Sequence, residues 1–565
     1  MRSILGRTGW ASLATFFSAA VMAAGLSFTA APVQAAFELP EGEKITNLPA
    51  IPRNIPQKEA YELYDPRIGK NFDLKNFWMR ADIRVRPEWR QGVCFGGSPG
   101  SLGACNSGVN AKGTGPGANN SFVQQWVRLG IGYDLSPDVN FYMETIYSND
   151  WGTSANPAAP GAAGGPALNN NCNTVNIGQC GLGVRAAYML IRNLGGIQGL
   201  SLKAGRQYVI FGAQSLFGHF DWANTGFSHD GFMFQYSTKP VDIFAGLFRE
   251  SDLNIGQAAS TGSFNNCVGA GGTSTGCQSK QNSTLGLVYT QIKSVPGFIF
   301  EPHYFLYMNG QNVTGCAGPA CTPGIGSNVG VWVPKSNSQI RHTIGNRVEM
   351  RKGNFDFQNE LEYQWGRMAS GQNNGSNSMD LHINAWATRN WIGYTHYQSP
   401  WKPRLAFNLD YASGDGNANC NAPGTGTQFH CTTANTFENL YPTNHIHMGY
   451  MDVQSWRNML SPSGNFQARP TKDDHIEIWY TNLNLANARD NWYRGSQSAY
   501  VFSRANNTAK HVGDEVDWTW THMFADGKVA FQSTYGYLWT GDYIRQNLGN
   551  HSNQQWWYLS LWANF

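Results

Sequence analysis

An all-β fold, a transmembrane antiparallel β-barrel of about 18 strands with short periplasmic turns and long extracellular loops, is what this sequence predicts. Three observations predict it. Runs of residues alternate between an apolar and an ionic face. The composition is low in charge and rich in aromatics and glycine. The final run is amphipathic and ends in an aromatic residue.

The alternation is clearest from Arg80 to Arg90, RADIRVRPEWR. Ala81, Ile83, Val85 and Trp89 share one face, and Arg80, Asp82, Arg84, Arg86, Glu88 and Arg90 share the other, because side chains of a strand alternate across the sheet. A soluble sandwich shows the same pattern with its apolar face in a core. So many ionic side chains on one face suit the wall of a membrane barrel, with lipid outside and a wet lumen inside.

The chain has 565 residues, of which 14% are charged and 13% aromatic, with 64 Gly, 20 Trp and 24 Tyr. That mixture fits alternating strands, aromatic girdles and Gly-rich loops. A mean hydropathy of −0.39 excludes a bundle of apolar helices. The net charge of +3 gives no case for nucleic acid.

Arg2 and Arg7, an uncharged run to Ala31 and the ending Pro32-Val33-Gln34-Ala35-Ala36 describe a secretory signal peptide over residues 1–35. The run is also long enough for a retained anchor helix; the V-x-A ending favours removal. Residues 36–75 are polar and carry Pro40, Pro49, Pro52, Pro56 and Pro66. They read as an extended periplasmic segment without a core of its own, and whether a periplasmic partner docks on it is left open by the sequence. The barrel occupies residues 76–565.

Ten cysteines sort by position into five neighbouring pairs: Cys94 with Cys105, Cys172 with Cys180, Cys267 with Cys277, Cys316 with Cys321, and Cys420 with Cys431. Each pair brackets a Gly/Asn/Ser/Pro-rich segment. An even count, local spacing and a secretory signal imply five disulfide staples. The absence of CxxC and of CxxCH argues against metal and c-type haem, and no cofactor is expected.

Long Gly/Asn/Ala-rich connections at 91–121, 152–181, 254–282, 309–338 and 412–436 contrast with tight turns at Ser136-Pro137-Asp138, Lys352-Gly353-Asn354 and Ala525-Asp526-Gly527. Between them the alternation recurs. Val127, Leu129, Ile131 and Tyr133 oppose Arg128 and Asp134; Phe355, Phe357, Leu361, Tyr363 and Trp365 oppose Asp356, Gln358, Glu360, Glu362 and Gln364. Val516, Trp518 and Trp520 oppose Glu515, Asp517, Thr519 and Thr521. The last run, WWYLSLWANF, puts Trp557, Leu559, Leu561, Ala563 and Phe565 on one face. It resembles the signal by which bacterial outer-membrane proteins engage the barrel assembly machinery.

Two stretches are more specific: Gly205 to Gly231, GRQYVIFGAQSLFGHFDWANTGFSHDG, and Thr436 to Met459, TFENLYPTNHIHMGYMDVQSWRNM. With GDEVDWTWTHMF from Gly513 and the GDYI of Gly541 to Ile544, they resemble the alginate-export family of outer-membrane barrels. The resemblance is firmest over residues 200–565. It implies a monomeric barrel passing a polysaccharide or another solute through an arginine-lined pore, with the Arg206 of the GRQ motif turned to the lumen. Family patterns carry another Arg soon after GRQ, where this chain has Ala213-Gln214-Ser215.

By strand parity alone, Arg80, Arg84, Arg86, Arg90, Arg128, Arg185, Arg341, Arg347, Arg351 and Arg404 face the lumen. Guanidinium forks hold carboxylates bidentately, so this lumen suits an anionic solute such as a polyuronate. The same parity brings in Asp82, Glu88, Glu349, Glu360, Glu362, Glu515 and Asp517, so the charges also read as a solvated wall braced by ion pairs.

Other constellations carry less. His445-Ile446-His447 places two His on one strand face without a third ligand. Gly272-Thr273-Ser274-Thr275-Gly276 matches GxSxG but lies in a Gly-rich loop, not at a strand–helix turn. The expected function is therefore a non-enzymatic channel in contact with outer-membrane lipid. The rivals are a general small-solute porin, a secreted β-rich carbohydrate-binding protein and an outer-membrane enzyme.

Overall fold

The computed structural model describes residues 76–92, 119–151, 181–222, 226–251, 279–313, 332–333, 339–368, 381–416, 432–493, 495, 499–501, 507–548 and 551–564. Among them, eighteen antiparallel strands close into one barrel. The first nine are β1 (Phe77–Gln91), β2 (Asn120–Ser136), β3 (Val139–Asp150), β4 (Gly181–Ile191), β5 (Leu200–Gln207), β6 (His229–Ser237), β7 (Val241–Ser251), β8 (Ser279–Val295) and β9 (Phe298–Val313). The rest are β10 (Gln339–Lys352), β11 (Phe355–Met368), β12 (Leu381–Thr395), β13 (Arg404–Ala412), β14 (Met459–Ala468), β15 (Asp474–Leu485), β16 (His511–Phe524), β17 (Val529–Thr540) and β18 (Gln554–Asn564).

Each strand pairs with its neighbour in sequence, and β1 pairs with β18 to close the ring. Closure leaves no unpaired edge in the hydrocarbon, where an unsatisfied backbone group is costly. At the seam, Ile83 lies opposite Ala563 and Trp89 opposite Trp557, whose rings are 5.2 Å apart on the outer face. On the inner face the Trp556 indole N–H donates to Glu88 at 2.9 Å, and the Arg90 guanidinium lies 3.8 Å above the Trp556 ring.

The alternation read from sequence is the alternation of the wall. Along β1, Trp78, Arg80, Asp82, Arg84, Arg86, Glu88 and Arg90 are buried, while Met79 and Trp89 are exposed. On β13, Leu405 is 66% exposed and its neighbour Arg404 only 5%. The charged face points inward and the apolar face outward, the reverse of a soluble sandwich. No helix among the described residues is long and apolar enough to span a membrane.

Connections at one end are short: 137–138, 353–354 and 525–528 turn the chain in a few residues, as the turn sequences predict. Those at the other end are long. The described parts of three of them, 208–222, 432–458 and 486–493, bring structure to the barrel interior that hydrophobic alternation did not reveal. A seven-residue helix, α1 (Asp542–Leu548), follows β17. Its Tyr543 and Ile544 are buried with Trp492.

Several sequence expectations lie outside the described residues. They include Cys94, Cys105, Cys172, Cys180, Cys267, Cys277, Cys316, Cys321, Cys420 and Cys431. The five disulfide staples between them therefore stand as a proposal. Residues 1–75, with the signal peptide and the periplasmic segment, Gly272–Gly276 and Phe565 also fall outside.

Gly205 closes β5 against β4. Its φ is +124°, and a Cβ there would stand 2.3 Å from the Ala187 carbonyl oxygen. Gly205→Ala is expected to cost about 1–3 kcal/mol through backbone strain. A lower melting temperature on heat-modifiability gels would register it.

Candidate functional site

The site starts from the inward faces of β1 to β4. Arg80, Arg84, Arg86 and Arg90 project from β1, Arg128 from β2, Glu144 from β3 and Arg185 from β4, all buried. The cations are interleaved with acids. Glu88 accepts from Arg86 and from Arg90, each at 2.7 Å. Asp82 pairs with Arg80 and, at 3.3 Å, with Arg128. Glu144 accepts the Tyr142 hydroxyl at 2.6 Å and also the Tyr208 hydroxyl.

The chain's own segment 208–222 sits on this wall. The Asp221 carboxylate lies across two guanidiniums, accepting from Arg128 at 2.7 Å and Arg185 at 2.8 Å. Arg84 donates to the Asp221 carbonyl at 2.6 Å, and Arg86 to the Trp222 carbonyl at 2.7 Å. The Trp222 ring is sandwiched between the Arg86 guanidinium, 3.6 Å from its centroid, and the His445 ring, stacked at 3.6 Å. Burial alone would raise the Asp221 carboxyl, but Arg128, His219 and Arg185 outweigh it and hold it well below the usual carboxylate range. Burial pushes the His445 imidazole below its ordinary value, against the pull of Asp452 at 3.1 Å.

Segment 432–458 fills the opposite side. It zips onto the first segment: Gly218 N–H donates to the Tyr441 carbonyl at 2.8 Å, and Tyr441 N–H to the Leu216 carbonyl at 2.9 Å. It also reaches acids of β15 and β16. Tyr450 N–H donates to Asp517 at 3.0 Å, Met451 N–H to Glu515 at 2.9 Å, and the Tyr450 hydroxyl to Glu477 at 2.7 Å. Gly449, at φ +84°, allows this approach, since a Cβ there would meet a Glu515 oxygen at 2.2 Å. The described wall thus carries an excess of guanidiniums on β1–β4 and of carboxylates on β15–β16.

Elsewhere the predicted arginines also project inward, among acids. Arg341 faces Glu438 at 3.4 Å, Arg347 pairs with Glu301 and Glu349, and Arg404 reaches Asp356 at 2.7 Å. Arg351 lies on the same inward row, half-buried. Arg206 does not face inward. Gln207 is buried, its amide donating to the Lys203, Gly205 and Gly231 carbonyls at 3.2 Å. Gly205 and Gln207 hold the inward positions, so the residue between them points to lipid. The expected strand for His445 and His447 is also absent: residues 444–446 form a 3-10 turn, and His447 contacts the Ala213 carbonyl at 2.6 Å.

Sequence reasoning missed Asp221, Glu438, Arg389 and Trp456. Arg389 reaches the Ser215 hydroxyl at 2.6 Å and Asp410 at 3.2 Å, so a wall arginine meets the loop at Ser215. The inward parity of Arg389 beside Trp391 on β12 was the available signal.

A closed barrel with a lipid-facing apolar belt and a charged, loop-lined interior is an outer-membrane channel. A family model described as alginate export matches residues 181–558. The chain belongs to the alginate-export family, and its place is the outer membrane. No curated protein matches it. Among solved structures, Pseudomonas aeruginosa OccK1 (OpdK) is similar at TM-score 0.48 and 8% identity, covering 86% of this chain and 99% of that one. Pseudomonas aeruginosa OpdQ is similar at TM-score 0.45 and 11% identity, covering 86% and 98%. Likenesses of this size carry no functional argument.

Proposed function

We propose that this barrel passes an anionic solute, of the acidic polysaccharide or oligouronate class, passively through its charged lumen. The observation that supports this most is Asp221: a carboxylate of the chain itself rests on Arg128 and Arg185, with Arg84 on its backbone. A wall that holds one carboxylate between two guanidiniums has the chemistry to receive others. No cofactor enters this reading.

A second reading, a general small-solute porin, is favoured by the ion pairs. Arg80, Arg86, Arg347 and Arg404 all face acids of the wall, and matched charges brace a wall without selecting anions.

Reversal potential in a planar bilayer under a salt gradient, with and without oligouronate, separates the two. An anion-selective current blocked by oligouronate is expected. Arg84→Gln, Arg86→Gln and Arg128→Gln together should lower the anion preference. Weak selectivity, no block and an unmoved reversal potential in the triple variant would leave the small-solute reading standing.

A further inference from the structure

We infer that the outer face of the barrel binds the phosphate groups of outer-leaflet glycolipids through Arg206, Arg249 and Arg367. This goes beyond the channel function, because none of the three faces the lumen. Hydrogen-bond register sets them on one row. Arg206 lies opposite Asp230, Asp230 opposite Arg249, and Arg249 opposite Thr284. The row continues through Met308 and Ile340 to Arg367 and His382. All these residues share the outward parity of the strands.

The row lies at the end of the barrel that carries the long connections. Arg206 is the penultimate residue of β5, Arg367 the penultimate residue of β11 and His382 the second residue of β12. That end meets the outer leaflet. Directly beneath the cations the surface turns apolar. Phe232, at 55%, and Leu247, at 58%, are exposed two residues deeper along β6 and β7. Trp365 stacks on His342 at 5.1 Å beneath Arg367. An arginine is costly in the hydrocarbon and tolerated at its boundary, so the change from apolar to cationic marks the headgroup level.

Charge decides the kind of lipid. The row carries three guanidiniums and one carboxylate. Asp230 stands 3.8 Å from Arg206, Arg249 donates to the Thr284 hydroxyl at 3.2 Å, and Arg367 makes no ion pair among the described residues. Forked donors above an apolar shelf complement a phosphate attached to acyl chains. A soluble carboxylated solute would gain nothing from the shelf. The occupant is therefore a membrane glycolipid phosphate of the lipid A type.

The test uses the full chain purified in detergent and native mass spectrometry. Bis-phosphorylated lipid A, the same lipid without its phosphates, and phosphatidylglycerol are offered in turn. Bis-phosphorylated lipid A should be retained about tenfold better than the dephosphorylated form. Arg249→Gln with Arg367→Gln should erase most of that difference while leaving single-channel conductance unchanged. Arg249→Lys with Arg367→Lys, keeping charge but losing the fork, should fall between. Equal retention of the dephosphorylated lipid, or undiminished retention by the glutamine variant, would overturn the site. Phosphatidylglycerol retained as well as lipid A would overturn the glycolipid assignment. If the glutamine variant fails to fold, the wild-type comparison of phosphorylated and dephosphorylated lipid decides alone.

Discussion

Replacing Asp221 with alanine is expected to free the 208–222 segment from the wall and to make the pore more anion-selective. Asp221 is buried and engaged by Arg128 and Arg185. Removing one partner of a buried ion pair leaves the other charge uncompensated, which costs about 3–5 kcal/mol. Two effects should appear together: a lower melting temperature on heat-modifiability gels and a reversal potential shifted toward the anion limit. Wild-type behaviour in both would mean that Asp221 holds nothing in place. The pH dependence has a definite sign. Asp221 is held below the usual carboxylate range, so its contribution is complete above about pH 4 and is lost only as pH falls from there toward its folded value. Between neutral pH and pH 5 the latch should not weaken.

The second large effect is expected at Trp456. This indole is fully buried between the loop and the wall. Its N–H donates to the Tyr411 carbonyl at 3.0 Å, its ring meets Phe437 at 5.2 Å, and the Arg389 guanidinium lies 4.7 Å from its centroid. Trp456→Ala would remove a fully buried contact holding segment 432–458 to β12 and β13, at about 3–5 kcal/mol. Protease cleavage within the loop should appear before the barrel band is lost. Trp456→Phe keeps the ring packing and should recover most of the protection. If alanine left cleavage unchanged, the loop would be held by the Glu515 and Asp517 contacts instead.

The wall was legible in the sequence because a barrel strand lies between two solvents. Lipid on one side of Arg80–Arg90 and a polar interior on the other impose period two, and the pattern alone names the inward residues. At Arg206 the motif pointed inward and the parity of its neighbours did not. Gly205 and Gln207 hold the inward positions. The interior loops were illegible for a physical reason. A segment such as 208–222 is buried on all sides by residues distant in sequence, so Asp221, Trp222 and His445 satisfy one another without periodicity. Arg389 carried a readable signal, and its partner Ser215, 174 residues away, did not.

The seam between β1 and β18 has a consequence for the order of events in biogenesis. The Glu88–Trp556 hydrogen bond joins residues 468 apart in the chain, so the ring cannot shut until its last strand has been delivered. Until then both terminal strands offer bare hydrogen-bonding edges, and the arginines of β1 have no enclosed interior to pair within. Contacts of such long sequence separation form slowly, and open edges invite pairing with other chains. The slow step in making this protein should therefore be the joining of its first and last strands. Seam substitutions such as Glu88→Gln should lengthen the life of the open sheet, seen as delayed appearance of the heat-modifiable band in a time course of insertion.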